Sequence, residues 1–333
     1  MASRITLIPT ALFLACLPFP TAGEAQVQTE HHVPAGITGD RILPRGSLRF
    51  GYGYQHRTLA DNFQGSSRLT TQQVLLDYQA SPLTMTQAKH AAEVMYAPTS
   101  RLTLAAVGNY SRYSANHVTR ANGKFTLEAE GVGDLWIAAL LGLRQHGYLR
   151  SHLQAGVFVP TGSIDNAGSV AGSPPVQLPY PLQIGSGTTD VAPGITLVGL
   201  GDQLSWGLQM SARLPLGDNG RRWRRGSEIR GTAWGAFHPR DWIGVSTRIA
   251  ASQRGGHQGH DSALQDPDLL PTVHPSRQGG RSVVMPIGLN LIFAGTHLHV
   301  EWSRALARDL QGPQLGDDWT LTAGVRRTFS LGR

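Results

Sequence analysis

Gln203-Leu-Ser-Trp-Gly-Leu-Gln-Met-Ser-Ala-Arg-Leu-Pro-Leu216 separates into two faces when read with a period of two. Leu204, Trp206, Leu208, Met210, Ala212 and Leu214 fall on one face, and Ser205, Gly207, Gln209, Ser211 and Arg213 on the other. Successive side chains of a strand point to opposite sides of the sheet, so this is a strand with one apolar and one polar side. The same separation appears at Leu48, Phe50, Tyr52, Tyr54 against Arg49, Gly51, Gly53, Gln55, and at Leu149, Leu153, Ala155, Val157, Val159 against Arg150, His152, Gln154. It recurs at Leu298, Val300, Trp302 against His297, His299, Glu301, and at Trp319, Leu321, Ala323, Val325 and Phe329 near the C-terminus.

A soluble sandwich would alternate too, and two further features separate the possibilities. The patterns run for about 10 to 13 residues, close to the roughly 9 to 11 that a tilted strand needs to cross a bilayer. The connections also alternate in length. Short turns fall at 97–100, 145–147, 201–203, 238–241 and 294–296, and longer polar segments at 57–85, 112–131, 161–188, 216–226, 253–281 and 307–317. The expected fold is therefore all-β, a transmembrane antiparallel up-and-down β-barrel with short periplasmic turns and long extracellular loops. Twelve strands are expected, at 47–56, 86–96, 101–111, 132–144, 148–160, 189–200, 203–215, 227–237, 242–252, 282–293, 297–306 and 318–329. An even count returns both chain ends to the periplasm. Residues 72–79 read as a β-excursion within the first loop. Trp136, Trp206, Trp302, Trp319, Tyr52, Tyr54, Tyr96 and Tyr110 are expected in the aromatic girdles at the two interfaces.

Composition agrees. Among 333 residues there are 40 Gly and 20 Pro, and only 15% are charged, which argues against a helical soluble enzyme. The longest apolar run, Leu135 to Leu143, is too short for a membrane helix. Residues 1–25, with Arg4, an apolar stretch from Ile5 to Phe19 and small residues Gly23 and Ala25, read as a cleaved export signal. The single cysteine, Cys16, lies in that segment, so no thiol or disulfide chemistry is expected after cleavage. The formal net charge is +7, carried almost wholly by arginine, since only Lys89 and Lys124 are lysines. No basic run is interleaved with aromatic residues as a nucleic-acid surface would be, so nucleic acid is not an expected partner. The densest basic run, Arg221-Arg222-Trp223-Arg224-Arg225, reads as a solvated loop.

In a barrel the polar faces line the lumen. By alternation the solute pathway is expected to carry Arg49, Lys89, Glu93, Arg150, His152, Gln154, Gln209, Arg213, Glu228, Arg230, Arg248, Asn290, Glu301 and Arg326, with His297 and His299 beside them. Cations outnumber anions, which points to a preference for anionic or neutral polar solutes. A twelve-strand lumen lies between the filled eight-strand and the open sixteen-strand barrels, so a small conductance or an inward-folded loop is expected, best at 161–188 or 253–281. His297, His299 and Glu301 follow at i, i+2 and i+4 on one strand face, a spacing that can aim three ligands at a copper or zinc ion. His257, His260, Asp261 and His274 in one loop and the pair His31-His32 are weaker candidates. Ser303 beside His297, His299 and Glu301 is the one grouping from which a barrel enzyme could be built, and no catalytic residue is assigned.

At Gly131-Val-Gly-Asp134-Leu, Val159-Pro-Thr-Gly-Ser163 and Gly185-Ser-Gly187, with Asp190 and Pro193-Gly194, the chain resembles the MetA-pathway phenol-degradation family of outer-membrane proteins. Tyr96-Ala-Pro-Thr-Ser-Arg-Leu-Thr-Leu104 resembles that family's periplasmic turn, and His117-Val-Thr-Arg120 a subgroup rich in Met and His. The likeness is strongest over 130–200 and implies a β-barrel transporter, with no catalytic residues to carry over.

The expectation is thus an export signal at 1–25, a periplasmic N-terminal segment at 26–46, a barrel at 47–329 and a tail at 330–333. The protein is expected in the bacterial outer membrane as a channel for passive diffusion of small solutes, without a cofactor. Its expected partners are outer-membrane lipid, the barrel-assembly machinery during insertion, and the solute. A transition-metal-handling protein and a barrel enzyme are the alternatives.

Overall fold

The structure, a computed structural model, describes residues 33–169, 174–264, 266 and 268–331. The expected export signal with Cys16, and His31-His32, lie outside the described residues. Ten barrel strands come first: β1 Ser47–Gly65, β2 Ala80–Thr99, β3 Leu102–Thr119, β4 Lys124–Val132 resuming at Leu135–His146, β5 Leu149–Val159, β6 Asp190–Leu200, β7 Leu204–Pro215, β8 Glu228–Arg240, β9 Ile243–Arg254 and β10 Gly280–Phe293. Both parts of β4 pair with β3, so they are one interrupted strand.

The final extended run, Thr296–Ser330, doubles back on itself. Its residues 296–310 pair with β10 and its residues 310–330 with β1. Arg304 meets Asp318 at 3.1 Å, and Arg327 meets the Thr296 hydroxyl, which lays the two arms side by side. Taken as one run it leaves eleven strands in the closed sheet. Separated into arms β11 (296–310) and β12 (314–330), it gives the expected twelve, each antiparallel to the next, with β12 closing on β1.

Alternation sets the two sides as the sequence indicates. Leu204, Leu208 and Met210 of β7 face outward and are exposed, as are Phe50 and Tyr52 of β1 and Leu298, Val300 and Trp302 of β11. Such a continuous apolar exterior is stable only against lipid. Trp206, Trp302, Tyr52, Tyr96 and Tyr110 are exposed on this outer surface, and Trp319 lies against His56 with 5.1 Å between ring centroids. Trp136 departs from the girdle reading. It is only 7% exposed and turns inward onto Met95 and Leu140.

The ends of the barrel differ from the sequence reading in three ways. Strands at the loop side run past the bilayer span, so much of 57–85, 112–131 and 307–317 is hairpin, not loop. Residues 72–79 are no β-excursion: Thr71–Asp77 is a short helix, started by a capping box in which the Thr70 hydroxyl accepts from the Gln73 N–H and the Gln73 side chain accepts from the Thr70 N–H.

The third difference concerns 33–46, read above as part of a periplasmic segment. These residues instead cross the inside of the barrel near its short-turn end. Ile42 and Leu43 pack with Met95, Ala97, Ala105, Trp136, Ala138 and Leu140, and Val33 and Ile37 with Val198 and Trp234. The cause is the apolar inner face at this level, which excludes water and has to be covered.

Candidate functional site

The three motif stretches meet at one point of the wall. Gly133 and Asp134 interrupt β4, and the Asp134 carboxylate accepts from the Gly162 N–H, the Ser186 N–H and hydroxyl, and the Arg213 guanidinium at 2.8 Å. Arg213 also holds Asp190 at 2.5 Å and lies over the Phe158 ring. The Thr161 hydroxyl donates to the Gly133 carbonyl and accepts from the Leu135 N–H. Gly162 and Gly185 touch so closely that a Cβ on Gly162 would fall 2.6 Å from the Gly185 Cα. This buried network of charge-assisted bonds clamps both ends of the 160–189 loop to the wall.

Clamped there, the loop folds inward. Leu178, Leu182 and Ile184 pack on the inner-wall residues Met85, Ala115, Leu127 and Ala129. Above them Tyr180 joins Trp223, Leu264, Leu270 and Val273 from the neighbouring loops in a second apolar cluster. His257 stacks on Trp223 at 5.5 Å with 12° between the rings and meets Tyr180 edge-on. Burial, together with Arg225 and Arg254, holds this imidazole well below its ordinary pKa. Burial also pushes the Tyr180 phenol up.

Beneath the loops a cavity of about 290 Å³ opens into a deeper one of about 210 Å³. They share the walls formed by Arg57, Gln87, Tyr113, Arg225, Glu228 and Arg254. The upper part has an apolar side that includes Leu59, Met85, Leu182 and Leu315. The deeper part is ringed by Arg57, Lys89, Arg213, Arg225, Arg230 and Arg254, with Glu228 as the acid among them. Arg230 and Arg254 both pair with Glu228, and Arg57 pairs with Asp317.

The residues picked out by alternation divide between two levels. Lys89, Arg213, Glu228 and Arg230 line the deeper cavity. The others stand nearer the short-turn end, where several hold the 33–46 segment. Arg49 pairs with Asp40 and Glu93, Arg326 donates to the Ile37 carbonyl, Gln209 to the Thr38 carbonyl, and His152 Nε2 contacts the Gly39 carbonyl. Glu301 accepts from the Gly36 N–H and from Arg248. Gln154 donates to the Ala192 carbonyl, Asn290 to Ser246, and Arg150 lies near Arg41.

His297 and His299 share a face, but their rings stand 5.3 Å apart at 69°, His297 bonds to Asn290, and Glu301 is committed to Arg248 and Gly36. Among the described residues no three His, Cys, Asp or Glu side chains are grouped to hold a metal ion. The same commitment of Glu301 removes the orienting acid from the Ser303 grouping. Sequence reasoning missed Arg57 and Arg254, although each continues its strand's inward parity past the expected strand end. It also took Arg221–Arg225 for solvated loop, whereas Trp223 is fully buried and Arg225 reaches inward to the Gln183 and Gly185 carbonyls.

A closed antiparallel barrel with an apolar belt, a polar lumen and an inward-folded loop is an outer-membrane β-barrel. No protein-family model and no curated relative matches the sequence. Among solved structures the chain is similar to an outer-membrane channel of Pseudomonas putida F1, with a TM-score of 0.59 and 17% identity over 90% of this chain and 100% of that one. The P. putida toluene transporter TodX stands further off, with a TM-score of 0.45 and 10% identity over 87% of this chain and 91% of that one. So does the β domain of the Bordetella autotransporter BrkA, at 0.43 and 13% over 85% and 100%.

Proposed function

We propose that this protein is a channel of the bacterial outer membrane that admits small solutes through its arginine-rich outer lumen. The observation that carries this reading is the chamber itself, a polar cavity enclosed by a lipid-facing wall and entered between clamped loops. The likeness in fold to the P. putida channel and the resemblance at 131–135, 159–163 and 185–194 to a transporter family support it. Passage to the periplasmic side requires residues 33–46 to yield, because they occupy the lower lumen. The surplus of fixed cations favours anions. The test is single-channel recording and reversal potential of the refolded mature chain in planar bilayers under a potassium chloride gradient. Small steps with anion preference are expected. A silent bilayer with folded protein, or a cation preference, overturns the reading.

A further inference from the structure

The charges around the deeper cavity do not balance. Arg57 is met by Asp317, Arg213 by Asp134 and Asp190, and Arg230 and Arg254 share Glu228. Arg225 spends its donors on loop carbonyls. Among the described residues Lys89 has no carboxylate within ion-pair distance, and the field of Arg230, Arg213 and Arg225 upon it outweighs that of the more distant Asp134. A cation enclosed among cations is costly unless an anion joins it. An inorganic anion would satisfy Lys89, yet it would leave the apolar side directly above, built by Leu59, Met85, Leu182 and Leu315, facing water. One ligand satisfies both surfaces.

We infer that the chamber binds an organic anion with an apolar body, its carboxylate against Lys89 and Arg254 and its body against Met85, Leu182 and Leu315. The inference rests on the channel reading for its physiological sense, but binding and conduction can be measured separately. Calorimetric titration of the detergent-solubilised full chain would compare hexanoate with acetate, hexan-1-ol and hexylammonium, with electrophoretic heat-modifiability confirming that each variant is folded. Hexanoate is expected to bind at least about tenfold more tightly than each of the others, since it alone meets both surfaces. Lys89→Met should weaken hexanoate by about tenfold and leave hexan-1-ol unchanged, while Lys89→Arg retains most of the affinity. Leu182→Gln should weaken hexanoate and leave acetate as it was. Equal binding of hexylammonium, or hexanoate affinity indifferent to both Lys89→Met and Leu182→Gln, overturns the inference. Bilayer recording separates the two readings. Hexanoate binding in a protein that conducts nothing keeps the site and removes the channel, whereas conductance without hexanoate preference keeps the channel and removes the site.

Discussion

In the lower lumen, Arg49, His152, Gln209, Glu301 and Arg326 spend their hydrogen bonds on the chain's own residues 36–40. In the upper lumen, Arg57, Lys89, Arg225 and Arg254 surround open space. Apart from Arg225, which comes from the loop before β8, both sets stand on inward positions of barrel strands, and both include arginines. What separates them is the neighbouring inner surface. Below, Met95, Ala105, Trp136, Ala138 and Leu140 make it apolar, and burying such a surface is worth about 25 cal/mol per Å², so a peptide that covers it stays. Above, the apolar side is itself completed by the inward loop, and a cavity is left beside it. Polar residues in a lumen therefore line a pathway only where nothing apolar beside them recruits a filler.

Deleting 33–44 should have the largest effect on this division. Single-channel conductance of the refolded chain is expected to rise several-fold, and an unchanged conductance would mean that ions bypass the lower lumen. Arg213→Met attacks the upper half by leaving Asp134 and Asp190 buried without their cation, at a cost of about 3–5 kcal/mol in urea unfolding. Faster proteolysis within 160–189 should accompany it. Acid provides a gentler test. His257 titrates well below its ordinary value, so the folded chain holds fewer protons there than the unfolded chain. The loop packing it supports is complete above about pH 6.5 and is lost progressively as the pH falls below that. Tryptophan fluorescence followed from pH 7.5 to 5 should report the loosening around Trp223, and His257→Phe should flatten the response. Arg304→Ala removes an exposed pair with Asp318 outside both halves, and a change in unfolding free energy above about 1 kcal/mol would contradict the view that only enclosed charges matter.

The sheet was legible because alternation fixes which way each side chain points once the strand is placed. That is why Gln209, Arg213 and Arg248 could be assigned to the interior without a structure. Strand ends were less legible. The bilayer sets a minimum strand length but no maximum, so Arg57 and Arg254 were cut off from strands whose parity they share. The filler at 33–46 left a trace that went unread: Leu135 to Leu143 is apolar on both faces, and a strand between lipid and water would not be. The clamp was visible only as a resemblance among distant stretches, because nothing in spacing says that Asp134, Ser186 and Arg213 will touch. Arg225 was hidden for another reason. Charge density suggested solvent, while the Trp223 beside it pointed to burial.

Along residues 36–39 the lower lumen contacts main-chain atoms one residue after another: the N–H of Gly36, then the carbonyls of Ile37, Thr38 and Gly39. Main-chain groups are common to every sequence. The barrel thus holds this strap largely by its backbone, which turns at 35–36 and again at Gly39, with side-chain identity checked at Ile37, Asp40, Ile42 and Leu43. A change at exposed Thr38 should therefore be far better tolerated than one at Ile37, Asp40, Ile42 or Leu43, and than a side chain added at Gly36, where a Cβ would run into Arg248, or at Gly39, whose φ of +63° suits glycine.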